Sequence, residues 1–262
     1  MSAILVEQEI VHYEFLGRGR PLVFLHGWVG SWRYWIPSMQ AVSIGYRAYA
    51  LDLWGFGDSA KKPDRYTLEG QVHLLEAFLE QLGVARIAAV GHGLGAVVAL
   101  LFAHRHPEAV DRVMAVGCPL DASAVNTRLR TASPTDLADW LLQRTQAEEP
   151  ARADTPKVDA LAIRTSLDRL EVLDMGQISH GLTTATLLVS GQNDPAIQPP
   201  QNGLLTGLSY QTHTILFEGS GHFPMLDEGS KFNRLLGDFL SLDSGESPRN
   251  LQLKEEWKRR VR

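Results

Sequence analysis

Apolar residues in this chain fall into short unbroken runs, separated by longer stretches in which they recur every three or four positions. The unbroken runs cover 21–25, 46–52, 87–90, 113–116, 186–189 and 214–217. Runs of this kind suit strands buried on both faces, so the pattern predicts a mainly parallel sheet covered by helices, an α/β fold. Between them, Leu68–Leu82 places apolar residues at 68, 72, 75, 78, 79 and 82, one stripe of a 3.6-residue helix. The stretch 94–104 is apolar and small almost throughout, as a buried helix would be, and 232–240 supplies a further helix to close the core. The first fifteen residues alternate in the manner of a half-buried strand. They show no basic segment followed by the apolar core of a signal peptide. No apolar run reaches the ~20 residues of a membrane span.

The sheet rhythm stops between 121 and 178. Ser133-Pro134-Thr135-Asp136 has the order of an N-cap, a first-turn proline and a first-turn acid. A helix is therefore predicted over 137–146, followed by a loop over 148–154 and a second helix over 158–173. The whole segment reads as a helical lid inserted into a core formed by 1–120 and 179–241. From 242 onward the composition changes again. Ser244-Gly245-Glu246-Ser247-Pro248 has the chemistry of a linker, and 249–262 holds six basic and two acidic residues, a local charge of +4. A short solvated helix docked through Leu251, Leu253 and Trp257 is expected there. A contact with anionic lipid, nucleic acid or a partner subunit is the alternative.

Composition narrows the picture. A length of 262 residues suits one α/β domain with an insertion. The net charge of −5 excludes a chain that is basic throughout and built to coat nucleic acid. The single cysteine, Cys118, permits no intramolecular disulfide and suits a reducing compartment, so a cytoplasmic protein is expected. No His/Cys/Asp grouping has metal-ligand spacing, and neither metal nor cofactor is expected.

The chemistry-bearing motifs sit at the ends of the predicted strands. Val90-Gly91-His92-Gly93-Leu94-Gly95 joins an apolar strand to a buried helix. A dinucleotide-binding loop also has that context, but its third glycine would fall at Ala96, so the spacing is wrong. His26-Gly27-Trp28 follows the strand ending at Leu25, and Asp52-Leu53-Trp54-Gly55-Phe56-Gly57-Asp58-Ser59 follows the next. Gly191-Gln192-Asn193-Asp194 and Gly219-Ser220-Gly221-His222 end the last two strands. In this order, the motifs closely resemble those of the α/β-hydrolase family across residues 10–241. In that family a G-x-S-x-G turn presents a nucleophilic serine above the sheet. This chain has glycine in the serine's place.

The resemblance implies a role for each position. Gly93 is the vacant nucleophile position, Asp194 the acid and His222 the base, and the backbone N–H groups of Trp28 and Leu94 form the oxyanion hole. His26, Trp35, Trp54 and His92 are expected around the substrate pocket, the histidines as braces and the aromatics as apolar wall or packing. The 52–59 turn is expected to be structural, Cys118 a buried inert thiol, and Ser220 of little consequence. Without a hydroxyl at 93 no acyl-enzyme can form there. The implied function is a small-molecule hydrolase scaffold, for an ester or C–C bond, whose activity is absent or strongly reduced. The missing hydroxymethyl is expected to leave room for a water beside His222. Two other readings stay open, a non-catalytic binder of a small apolar ligand and cofactor-free acid–base chemistry by the Asp194–His222 pair.

Overall fold

A computed structural model describes residues 2–142, 146–200, 202–205 and 207–251. Each predicted run is a strand: β3 (Arg20–Leu25), β4 (Tyr46–Leu51), β5 (Ile87–His92), β6 (Val110–Val116), β7 (Ala185–Gly191) and β8 (Thr212–Phe217). With β1 (Ser2–Val6) and β2 (Glu9–Gly17) they form one eight-stranded sheet in the order β1-β2-β4-β3-β5-β6-β7-β8. β3 to β8 are mutually parallel, and β1 and β2 are antiparallel to their neighbours. The register pairs Leu25 with Gly91, His92 with Val116, and Gly191 with Phe217. The loops leaving β3, β5, β7 and β8 therefore gather at one edge of the sheet, where ligands bind in open α/β folds.

Helices α1 (Ile36–Val42), α2 (Leu68–Leu82), α3 (Leu94–Arg105) and α11 (Gly229–Leu240) cover the sheet. α2 begins where the Thr67 side chain accepts the Gly70 N–H and stops at Gly83, in left-handed geometry. It buries Leu68, Val72, Leu75, Phe78 and Leu79, as the stripe requires. α3 is buried from Leu94 to Ala103.

Three details differ from the sequence reading. The first fifteen residues hold not one strand but a hairpin, turned at Glu7 and Gln8 with φ of 48° and 69°. Neither residue is the glycine or asparagine that usually marks such a turn. Between β6 and β7 lie α4 (Arg128–Thr131), α5 (Pro134–Leu141), α6 (Glu149–Ala153), α7 (Ala160–Leu170) and α8 (Met175–His180). The predicted N-cap holds, since Ser133 Oγ accepts the Asp136 N–H. However, α5 ends at Leu141, α6 replaces part of the expected loop, and α7 is shorter than 158–173, starting after its N-cap Asp159 and ending at Leu170. The third difference is the supposed linker, which is docked: Ser247 Oγ donates to Tyr210 O and Arg249 Nε to Thr212 O. Leu251 packs against the core, while the remainder of the basic tail, with Leu253 and Trp257, lies outside the described residues. Single turns α9 (Asn202–Leu205) and α10 (Pro224–Asp227) complete the element order. Among the described residues no helix is long and apolar enough to cross a membrane.

Candidate active site

A tight turn links β5 to α3. Gly93 lies there at φ 50° and ψ −111°, a conformation that side chains strain to adopt. Gly91 and Gly95, two residues to either side, are required to be glycine. A Cβ at Gly91 would lie 2.2 Å from Gly95 O, and one at Gly95 would lie 2.4 Å from Leu25 O. The turn is anchored by Gly93 N–H donating to Val116 O and Gly95 N–H to His26 O. At its exit stands the first N–H of α3, that of Leu94. Among the described residues, neither this amide nor that of Trp28 on the β3 loop finds an acceptor, although both residues are fully buried.

The loops after β7 and β8 meet closely, since a Cβ at Gly191 would fall 1.9 Å from Gly221 O. That approach brings Asp194 to His222, with His222 Nδ1 2.8 Å from Asp194 Oδ2 and both side chains almost wholly buried. A carboxylate only accepts, so Nδ1 carries a hydrogen, and in the neutral ring the lone pair is on Nε2. Asp194 Oδ1 is fixed in turn by the N–H groups of Ala196 and Ile197. His222 Nε2 is buried without a protein partner among the described residues. The loop is steadied by Gly221 N–H donating to Asp227 Oδ2. Burial pushes the Asp227 carboxyl up to about 6, helped by Glu148 and opposed by that N–H.

A buried relay ties these loops together. His92 Nε2 lies 2.9 Å from His222 O, a pure acceptor, so Nε2 bears hydrogen and Nδ1 accepts. Tyr34 Oη, 3.0 Å away, must then donate to His92 Nδ1, and it accepts the Gly27 N–H at 2.7 Å. The chain Gly27–Tyr34–His92–His222 thus spans the loops after β3, β5 and β8. Burial, with His222 adjacent, pushes His92 well below its ordinary pKa, and burial raises Tyr34 well above its own. Both groups therefore stay neutral at physiological pH.

A family model described as the alpha/beta hydrolase fold matches residues 20–173. The chain belongs to the α/β-hydrolase family. Among its relatives, a protein named "Putative carbamate hydrolase RutD" from Yersinia enterocolitica is 28% identical, over 94% of this chain and 97% of that protein. Epoxide hydrolase 2 of Siraitia grosvenorii is 38% identical over 38% of this chain and 33% of its own. The crystal structure of an enol-lactonase from Burkholderia xenovorans LB400 superposes with a TM-score of 0.79 at 20% identity, covering 92% of this chain and 100% of that one.

In this α/β-hydrolase the elbow, the Asp194–His222 pair and the β3 loop all lie at one sheet edge, but the residues expected around a pocket divide differently. His26 is a brace: its Nε2 accepts the Leu53 N–H, so its Nδ1–H donates to Gly27 O. His92 is likewise a brace, occupied at both nitrogens. Trp35 corrects the pocket expectation, since it packs between Phe24 and Phe232 with ring centroids at 5.1 and 6.3 Å, inside the core. Trp54 is buried under Arg65, and its backbone is clamped by the Gln71 amide. The Trp28 ring lies beside Gly93. A Cβ there would meet Trp28 Cε3 and Cζ3 at 3.1 and 3.2 Å, inside the roughly 3.5–4.0 Å of ordinary carbon contact. The Trp28 ring is held by its Nε1–H donating to Ser166 Oγ of α7 at 3.0 Å.

Asp52 accepts from His12 Nδ1 and from the N–H groups of Trp32 and Asp58, a knot that fixes the β4 loop. Burial opposes its ionisation, yet His12, His26 and the two N–H groups hold the carboxyl below its ordinary pKa. His12, Asp52 and Asp58 come close enough to share a cation, but the Asp58 carboxylate is already bound by Lys157. Cys118 is buried, which pushes its thiol pKa up, and Ser220 Oγ donates to Glu228. Tyr34 and Ser166 carry no signal in the sequence, because each acts only through a partner brought close by folding.

Proposed function

We propose that this chain is a small-molecule hydrolase working without a covalent intermediate. Gly93 stands where the family carries its nucleophile, and the Asp194–His222 pair is the general base. The state of His222 supports this reading best, with Nδ1–H committed to Asp194 and Nε2 a buried lone pair lacking a protein partner.

In the proposed reaction Nε2 takes a proton from water as the water oxygen bonds to the carbonyl carbon of an ester, carbamate or lactone. The carbonyl electron pair moves onto oxygen, held by the Trp28 and Leu94 N–H groups. Collapse of the tetrahedral species breaks the bond to the leaving group, which takes the proton back from the imidazolium. Asp194 orients the ring and stabilises its cation. The region 121–178 is read as a lid over a core of 1–120 and 179–241, supported by the Trp28–Ser166 contact. Loss of a triad serine costs about 10⁶ in turnover, roughly 8 kcal/mol, while the oxyanion donors and binding retain about 10³–10⁴ over water. The activity is therefore slow.

Activated esters, aryl carbamates and lactones, assayed on the parent chain, His222→Ala and Asp194→Asn, test this. Slow turnover without a burst is expected, falling at least about 100-fold in His222→Ala. Turnover untouched by His222→Ala refutes the general-base role. A ligand bound tightly and recovered unchanged, with no substrate turned over, would identify a binder instead.

A further inference from the structure

Trp28 sits where three parts of the molecule meet. Its amide is on the loop after β3, its ring faces Gly93 in the elbow, and its indole N–H donates to Ser166 in the inserted helices. The ring has little freedom to move. Trp28 and Ser166 are both fully buried, and Ser166 Oγ is itself fixed by donating to Ile163 O at 2.9 Å. A side chain at 93 therefore needs the indole to give by a few tenths of an ångström, a movement that strains its bond to Ser166.

We infer that Trp28 is a positioning residue whose ring, anchored by Ser166, closes the side-chain space at position 93 and makes the elbow specific for glycine. The inference rests on reading Gly93 as the nucleophile position. It adds that the nucleophile is excluded twice, once by the missing hydroxyl and once by the indole. Restoring serine alone would then leave the new hydroxyl misplaced. The same bond makes the elbow sensitive to where α7 lies.

A stability cycle reads the contact without reference to activity. Gly93→Ala is measured by urea unfolding in the parent chain and in Trp28→Leu. The strain of a Cβ at φ 50° is common to both backgrounds and cancels, leaving the ring contact. Gly93→Ala should lower the folding equilibrium constant at least tenfold more in the parent than in Trp28→Leu. Equal losses overturn the inference. Should Trp28→Leu fail to fold, Ser166→Ala, which only unpins the ring, replaces it with the same expected direction. A second arm measures the acylation burst with an activated ester. Gly93→Ser alone should give a burst at least tenfold slower than Gly93→Ser with Ser166→Ala, and equal bursts again overturn the inference. Coupling in the stability cycle with no burst in any folded serine variant would leave the Trp28 contact standing and refute the alignment of residue 93 with His222.

Discussion

Removing the Tyr34 hydroxyl tests the buried relay that joins the loops. In Tyr34→Phe the ring keeps its packing against Trp35, His92 and Phe223, and only one oxygen is lost. That oxygen serves the Gly27 N–H at 2.7 Å and His92 Nδ1 at 3.0 Å, both buried. Each orphaned group costs about 1–3 kcal/mol, so a loss of about 2–6 kcal/mol is expected. For a chain of this size that corresponds to a Tm lower by roughly 4–24 °C. Urea unfolding should show a lower midpoint at unchanged slope, the mark of a pure stability change. Hydrogen exchange at the Gly27 amide should accelerate together with exchange at its neighbours in the loop. A loss below about 0.5 kcal/mol, with Gly27 still protected, would refute the relay.

Two further outcomes follow from burial. Asp227→Asn keeps an acceptor for the Gly221 N–H but removes the charge. The folded carboxyl is raised from 3.8 to about 6, so the native state binds the extra proton between these values. Stability is therefore lost as pH rises through 6. The variant should be more stable than the parent at pH 7–8 and equal to it below pH 4, and the opposite ordering in pH-dependent unfolding would contradict the assignment. Cys118 should resist thiol reagents in the native state and react only on unfolding, because burial disfavours its thiolate. Labelling at the rate of a free thiol would show that the β6 loop is open.

Legibility in the sequence followed the range of the interactions. β3 to β8 and α2 were readable because burial on two faces, or on one stripe, writes itself into consecutive residues. Asp194 and His222 were readable as a pair because each ends a strand in a motif whose order matters, and folding brings them to 2.8 Å. The hairpin turn at Glu7-Gln8 escaped because tertiary pairing of β1 with β2 overrides the local preference against positive φ. α4, α6 and α8 are only four to six residues long, too short for a helical period to show. The roles of Tyr34 and Trp28 depend on partners 58 and 138 positions away, His92 and Ser166. Position 93 displays the limit well, since the missing hydroxyl is visible in the sequence and the indole beside it is not.

The central claim, hydrolysis without a covalent intermediate, is tested most directly by intact-mass analysis during turnover. The parent chain is quenched within milliseconds to minutes of mixing with an activated ester, and in parallel incubated with a fluorophosphonate. The account predicts an unmodified mass at every time while product accumulates slowly. An acyl or phosphonyl adduct forming on any side chain at a rate matching turnover would contradict it, placing a nucleophile where none has been assigned.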